Sequence, residues 1–259
     1  MLAWLLRGLH QGRVTTAYPR LAEPVGDGYR GTVEVLEQRG KASSGLEALC
    51  PTGAIAAGSA GRVSVDRGRC ILCGACVAAA PGRFAFAARH ETAVRTRGAL
   101  IVPAEAEAEL EPLSHTLAEQ ARALGRSIHV RHIDCGSDGA EEWEIQALWN
   151  PYYDIQRLGF FLTAAPRHAD ILLVTGPVTR AMREPLVRTW EVMPVPKALI
   201  AVGTDACSGG LSPRGTLTAG GVDAVLPPDV YVPGSPPSPI AIMHALLLAT
   251  GRLRTEVAA

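Results

Sequence analysis

The rhythm of apolar and polar positions changes once along the 259 residues. After Ser127 four apolar runs each end in a loop containing glycine: "SIHVRHIDCGS", "ADILLVTGPVT", "KALIAVGTDACSGG" and "DAVLPPDVYVPGS". Runs of this kind that stop at turn residues predict strands covered on both faces, as in a parallel sheet. Helical stretches lie between them, "EEWEIQALWN" and "TRAMREPLVRTWEV", and "SPIAIMHALLLATGRL" closes the series. The alternation predicts a doubly wound α/β sheet, with ligands in the loops at the carboxyl ends of its strands.

Upstream the texture differs. Residues 13–45 are rich in glycine, proline and polar side chains, with one alternating run, "GTVEVLE", that reads as a short strand. A compact unit held by a cofactor is the expectation there. From Pro103 to Leu124, the positions Leu110, Leu113, Leu117, Ala121 and Leu124 recur at helical spacing with glutamates opposite, which predicts an amphipathic connector. The expected domains are 1–100, a small α+β unit; 101–126, a connecting helix; and 127–259, the α/β domain.

The opening "MLAWLLRGLHQGR" sets Leu2, Leu5, Leu6 and Leu9 on one side of a helix. It has Arg7 in its middle, no early basic region and no small-residue cleavage site, so it reads as a docking helix rather than a signal peptide; capping its own domain is the alternative. No apolar run approaches the roughly 18 residues that a membrane crossing needs, so any membrane association is expected through a partner.

Lysine plus arginine equals aspartate plus glutamate at 25 each. No net field draws the chain to nucleic acid or an anionic surface. Three of its six cysteines fall within seven residues, unlike a secreted disulfide framework, and point to a reducing compartment and a metal.

These three, Cys70, Cys73 and Cys76 in "RCILCGACVAAAP", have ferredoxin spacing, but Ala80 stands where a fourth cysteine precedes the proline. In two-cluster ferredoxins the run C-x2-C-x2-C-x3-C-P occurs twice, and the fourth cysteine of each run ligates the other cluster. The fourth ligand here is therefore sought upstream before a proline, and Cys50-Pro51 supplies it. Counting back from Cys50 gives Leu46, Ser43 and Gly40, which with Ala80 are the four positions of the second cluster, all without thiols. The pattern thus predicts one [4Fe–4S] cluster on Cys50, Cys70, Cys73 and Cys76. A zinc site, or cysteines packed as small core residues, are the competing readings.

With "GRVTTAYP", "CPTGAI" and "CILCGAC", the first hundred residues resemble the ferredoxin-type subunit of formate hydrogenlyase and related energy-converting hydrogenases. Residues 127–252, through "PRHADILLVTGPVT" and "DVYVPGSPPSP", resemble the small subunit of the same complexes, which is similar to the twenty-kilodalton subunit of complex I. The chain resembles a fusion of the two. This implies a ferredoxin-like domain followed by a flavodoxin-like one, whose strand-end loops hold a proximal cluster facing a large subunit.

That second family's first loop has the pattern C-G-S-C-N-G-C-E-x-E, and here reads "CGSDGAEEWE". By resemblance the two cluster cysteines fall on Asp138 and Glu141, with Cys135 outside the usual ligand set. The third falls on Asp205 in "GTDACSGG", two residues before Cys207, and the fourth on Ser235 in "PGSPP". An all-oxygen set suits a sulfide-bridged cluster poorly, so the proximal cluster is expected to be absent. Three readings of the remnant stay open: an empty polar scaffold, a hard cation held by the carboxylates, or a cluster reached by Cys135 and Cys207.

The expectation is an electron-transfer subunit with no complete active site of its own. Its implied partners are a large subunit, either hydrogenase-like or similar to the forty-nine-kilodalton subunit of complex I, and integral membrane subunits, with the chain peripheral on the cytoplasmic face of the membrane. The alternative is an assembly subunit whose second domain docks the large subunit without redox chemistry. His168, in the "PRHAD" turn, is a further candidate for a role beside the pocket or at the large-subunit interface.

Overall fold

The computed structural model describes residues 2–36, 45–58, 62–103 and 127–253. Of the expected connecting helix, 101–126, residues 104–126 lie outside the described residues, as do Gly40 and Ser43, while Ile101–Val102 form a strand instead.

The sheet forecast from the apolar runs forms. Strands β6 (Ile128–Asp134), β8 (Ile171–Thr175), β9 (Ala198–Val202) and β10 (Val230–Val232) fall within the four runs, and a short β7 (Phe160–Leu162) joins them at one edge. All pair in parallel, in the order β10-β9-β8-β6-β7. Counted within the sheet this is 2-1-3-4-5 from the β7 edge, the flavodoxin order, whose switch point lies between its first and third strands. Here those are β6 and β8.

Residues of β8 and β9 are buried throughout because both faces are covered. Ile171, Leu173, Ile200 and Val202 pack with the helix Pro239–Ala249, and Leu172, Val174, Leu199 and Ala201 with Leu186 and Ala206 on the opposite face. Helix Pro239–Ala249 starts where Ser238 accepts a hydrogen bond from the Ala241 amide at 3.3 Å and Pro239 supplies a preset first φ.

The first hundred residues carry two small antiparallel sheets. One pairs β1 (Thr32–Val35) with β4 (Phe84–Ala87); the other orders β2 (Ile55–Ala57), β3 (Val63–Asp66) and β5 (Ile101–Val102). Their shared core has five fully buried members, Val33, Ile55, Val63, Val65 and Phe84. Such a core is small for an independent unit, and Cys50, Cys70 and Cys76 pack against it.

The two parts are joined by named contacts. Val94 exchanges backbone hydrogen bonds with Tyr231 of β10. Arg97 binds the Asp66 carboxylate through both terminal nitrogens and reaches Asp223 at 4.0 Å. The opening helix, Leu2–Gln11, exposes Trp4, Leu6 and Leu9 to 68%, 57% and 73%, so these side chains do not cap the chain's own core. Among the described residues no helix is long and apolar enough to cross a membrane.

Candidate iron–sulfur site and the strand-end pocket

The loop from Cys70 to Cys76 is shaped by backbone conformations that few sequences take. Leu72 has φ +56° and Gly74 has φ +83°, and Gly74 is the N-cap of the short helix Ala75–Ala79 that carries Cys76. A side chain at Gly74 would meet Phe86 at 3.3 Å and Arg30 at 3.4 Å. Arg30 donates from Nη1 to the carbonyls of Leu72 at 3.1 Å and Cys73 at 3.3 Å, while lying over the Phe86 ring. One guanidinium nitrogen thus serves two successive carbonyls of the turn. No spacing rule in the sequence singled out Arg30.

Cys50, Cys70, Cys73 and Cys76 line one cavity, with apolar walls from Val33, Ile55 and Val65. Cys50, twenty residues upstream, thus lines the same cavity as the three cysteines at ferredoxin spacing. The Ala54 amide donates to Cys50 Sγ at 3.2 Å, and Thr52 Oγ1 lies 3.4 Å from it. Burial pushes the Cys50 thiol up, but the Thr52 hydroxyl and the amides of Ala54, Thr52 and Ile55 together bring it below its ordinary range.

Cys70 is pushed up to about 11, first by burial and then, against the Leu72 amide, by the charges of Cys76, Cys50 and Cys73. Burial and neighbouring thiolates raise Cys76 as well. Ionising these thiols together is therefore disfavoured unless a positive centre sits among them. Among the described residues no three His, Cys, Asp or Glu side chains group closely enough for a single metal ion. Four cysteines lining one cavity, with the Ala54 amide donating to Cys50, fit an iron–sulfur cluster.

The strand-end residues Asp138, Glu141, Asp205 and Ser235 belong to the second domain, across a contact with the first. The turn Arg67–Arg69 packs on helix Gly203–Ser208, and the Thr204 hydroxyl donates to the Cys70 carbonyl at 3.0 Å. This helix leaves the carboxyl end of β9; the loop after β6 brings Asp138, the first turn of the following helix Ala140–Ala147 brings Glu141, and the loop after β10 brings Ser235. The Thr204 amide donates to the Gly234 carbonyl at 2.7 Å, tying two of these loops together.

Glu141 is 3% exposed, and its Oε2 has no hydrogen-bond partner. Gly203, at φ +90°, lies against it: a Cβ there would fall 2.7 Å from Glu141 Cγ and closer still to its Oε1. Burial pushes the Glu141 carboxyl up to about 7, and Asp205, Asp138 and Glu142 add to the shift against its own amide. Burial and the Asp138 charge also raise Asp205. Asp138 Oδ1 accepts from the Ala140 amide at 3.0 Å, and Ser235 is exposed. The fold thus brings the three carboxylates into one electrostatic neighbourhood and leaves Ser235 at its solvent side.

Next to Glu141, the Glu142 carboxylate turns the other way. It accepts from the Ser137 hydroxyl at 2.6 Å and from the Thr175 hydroxyl, which itself lies 3.0 Å from His132 Nε2. Burial lowers the His132 pKa, despite the Glu142 and Asp134 carboxylates. Sequence reasoning missed this group, because "EEWE" does not reveal which glutamate faces inward.

Cys135 and Cys207 are fully buried in the apolar cluster on one sheet face, and burial pushes each thiol up to about 12. Cys207 Sγ points to the Ala201 carbonyl at 3.9 Å. As placed, both are core residues. His168 closes the turn Pro166–His168 ahead of β8 and is exposed. That is the amino end of the sheet, opposite the pocket, which corrects the expectation of a place beside it.

Comparison with known proteins accords with this architecture. Residues 138–249 match the family described as NADH ubiquinone oxidoreductase, 20 Kd subunit. The probable membrane-bound hydrogenase subunit mbhJ of Pyrococcus furiosus is 41% identical over 145 residues, 56% of this chain and 87% of that protein. The chain belongs to this complex I subunit family.

Formate hydrogenlyase subunit 7 of Escherichia coli is 40% identical over 147 residues, 57% of this chain and 58% of the relative, so the chain spans little more than half of that protein. The NAD(P)H-quinone oxidoreductase subunit K of Synechococcus elongatus is 44% identical over 116 residues, covering 44% of this chain and 48% of the relative. Upstream of the complex I-like part, residues 63–122 match a 4Fe-4S single cluster domain. Cys50 lies before that matched stretch and reaches the cavity through the fold.

Proposed function

We propose that this member of the family is an iron–sulfur electron-transfer subunit of a membrane-bound complex related to complex I and the energy-converting hydrogenases. It carries one [4Fe–4S] cluster, on Cys50, Cys70, Cys73 and Cys76, and lacks the proximal cluster of the second domain. The observation that carries this reading is the meeting of the four thiols on one cavity. The single-cluster domain match over 63–122 supports it. At the strand ends, Asp138, Glu141, Asp205 and Ser235 offer oxygen where thiolates are needed.

A [4Fe–4S] cluster takes up and releases one electron at a time. The chain's residues hold its site: Arg30 fixes the Cys70–Cys76 turn, the amides near Cys50 favour its thiolate, and Thr204 ties the loop to the second domain. We divide the chain into 1–100, a connector at 101–126, and 127–259. The names of the hydrogenase relatives support a large-subunit partner of the hydrogenase or complex I kind, integral membrane subunits, and a peripheral place on the cytoplasmic face.

Iron and acid-labile sulfide analysis of anaerobically purified chain tests the reading. About four irons per chain are expected; about eight would overturn the single-cluster assignment. A second reading, docking by the α/β domain without redox chemistry there, is favoured by one observation: a buried, unpaired carboxyl at Glu141 in place of a thiolate. Under it, Cys73→Ser removes the cluster and leaves turnover of the complex unchanged.

A further inference from the structure

Apart from the strand-end carboxylates, a concavity opens at the carboxyl edge of the sheet. A cavity of about 260 Å³ lies between the turn after β8 and residues 214–219, its walls including Val178, Arg180, Arg183, Arg214, Thr216 and Leu217. Three arginines line this one space, and their positive charges repel each other unless something negative sits among them. On the same helix as Arg183, Arg188 is paired with Glu184. Among the described residues, no carboxylate lies within ion-pair reach of Arg180, Arg183 or Arg214. The chain as a whole has no net charge, so this local excess is not part of a generally basic surface.

The wall is fixed by backbone contacts. Val178 is fully buried with φ +54°, a conformation that β-branched residues avoid. It is held there because its carbonyl accepts from the Ala219 amide at 2.9 Å, while the next amide, of Thr179, donates to the Cys135 carbonyl at 2.8 Å. The reversal brings the Arg180 amide to the Leu217 carbonyl at 2.8 Å and pairs Thr179 with Thr218. Two arginines from one segment are thereby set against the third from another.

We propose that this cavity binds a small oxyanion of the phosphate class with two or more negative charges. The guanidinium fork matches such oxygens two at a time, and doubly wound sheets place ligands at the carboxyl ends of their strands. Pockets for drug-sized ligands and cofactors run to about 300–1,000 Å³; this one, just below that range, suits a free diphosphate-sized anion better than a whole nucleotide.

Titration calorimetry with inorganic pyrophosphate, on the full chain purified with its cluster, tests the assignment. Saturable one-site binding is expected, at least tenfold weaker in Arg180→Ala/Arg214→Ala, unchanged in Arg188→Ala, and weaker at higher ionic strength. Cluster absorbance checks that each variant is folded. Absence of saturable binding to the folded wild type, or equal weakening by Arg188→Ala, overturns it. Absence of binding together with loss of co-purifying subunits from the double variant overturns it in favour of an acidic protein partner.

Discussion

The Thr204 hydroxyl donates to the Cys70 carbonyl oxygen at 3.0 Å. This one bond ties the loop of three clustered thiols to the helix Gly203–Ser208, whose next residue after Thr204 is Asp205. Thr204 is fully buried. Thr204→Val keeps its shape and leaves the Cys70 carbonyl without that donor, a change expected to cost about 1–3 kcal/mol. Chemical denaturation of the intact chain measures it, with iron content expected to stay at the wild-type value. A loss of iron would show that the bond also shapes the thiol loop.

Cys73 is the exposed member of the four thiols, so Cys73→Ser perturbs no core packing. Iron and visible absorbance are expected to fall to near background in this variant. Cys207→Ala, in the core of the second domain, is expected to retain all iron at some cost in stability. The reverse pattern would mean that the cluster sits at the strand ends.

Much of this arrangement is legible in the chain for identifiable reasons. Strands β8 and β9 announce themselves because burial on both faces leaves unbroken apolar runs. That Cys50 lines the cavity of the clustered thiols is traceable because ligand exchange between two ferredoxin runs directs the search to a cysteine before an upstream proline. The edge strand Phe160–Leu162 is not, since three residues carry no period. Arg30 escapes because its partners, Leu72 and Cys73, are backbone carbonyls more than forty positions away. The inward turn of Glu141 depends on Gly203, which the sequence does not place beside it.

That contact makes Gly203 testable. Gly203→Ala adds a Cβ 2.7 Å from Glu141 Cγ on a backbone at φ +90°, and left-handed strain alone costs on the order of 1–3 kcal/mol. Adding Glu141→Ala removes the clash and leaves the strain. The double variant is therefore expected to be more stable than the two single changes predict by addition, a coupling of about 0.5–3 kcal/mol. Strict additivity in denaturation would mean that the two side chains do not meet.

Glu141 also gives the chain a pH dependence of definite sign. Burial, aided by Asp205 and Asp138, pushes its carboxyl from 4.5 up to about 7 in the folded chain. Below about 4.5 the group is protonated whether folded or unfolded and carries no penalty. Between about 4.5 and about 7 the unfolded chain releases the proton that the folded chain keeps, so its contribution to stability is lost as pH rises. Above about 7 both forms are ionised and the loss is complete, on the order of 3 kcal/mol. Glu141→Gln, which cannot ionise, is expected to gain stability over the wild type at pH 8 and to lose that gain near pH 5. Denaturation midpoints of both proteins across this range measure it; a difference independent of pH would mean that Glu141 ionises in the folded chain as it does in water.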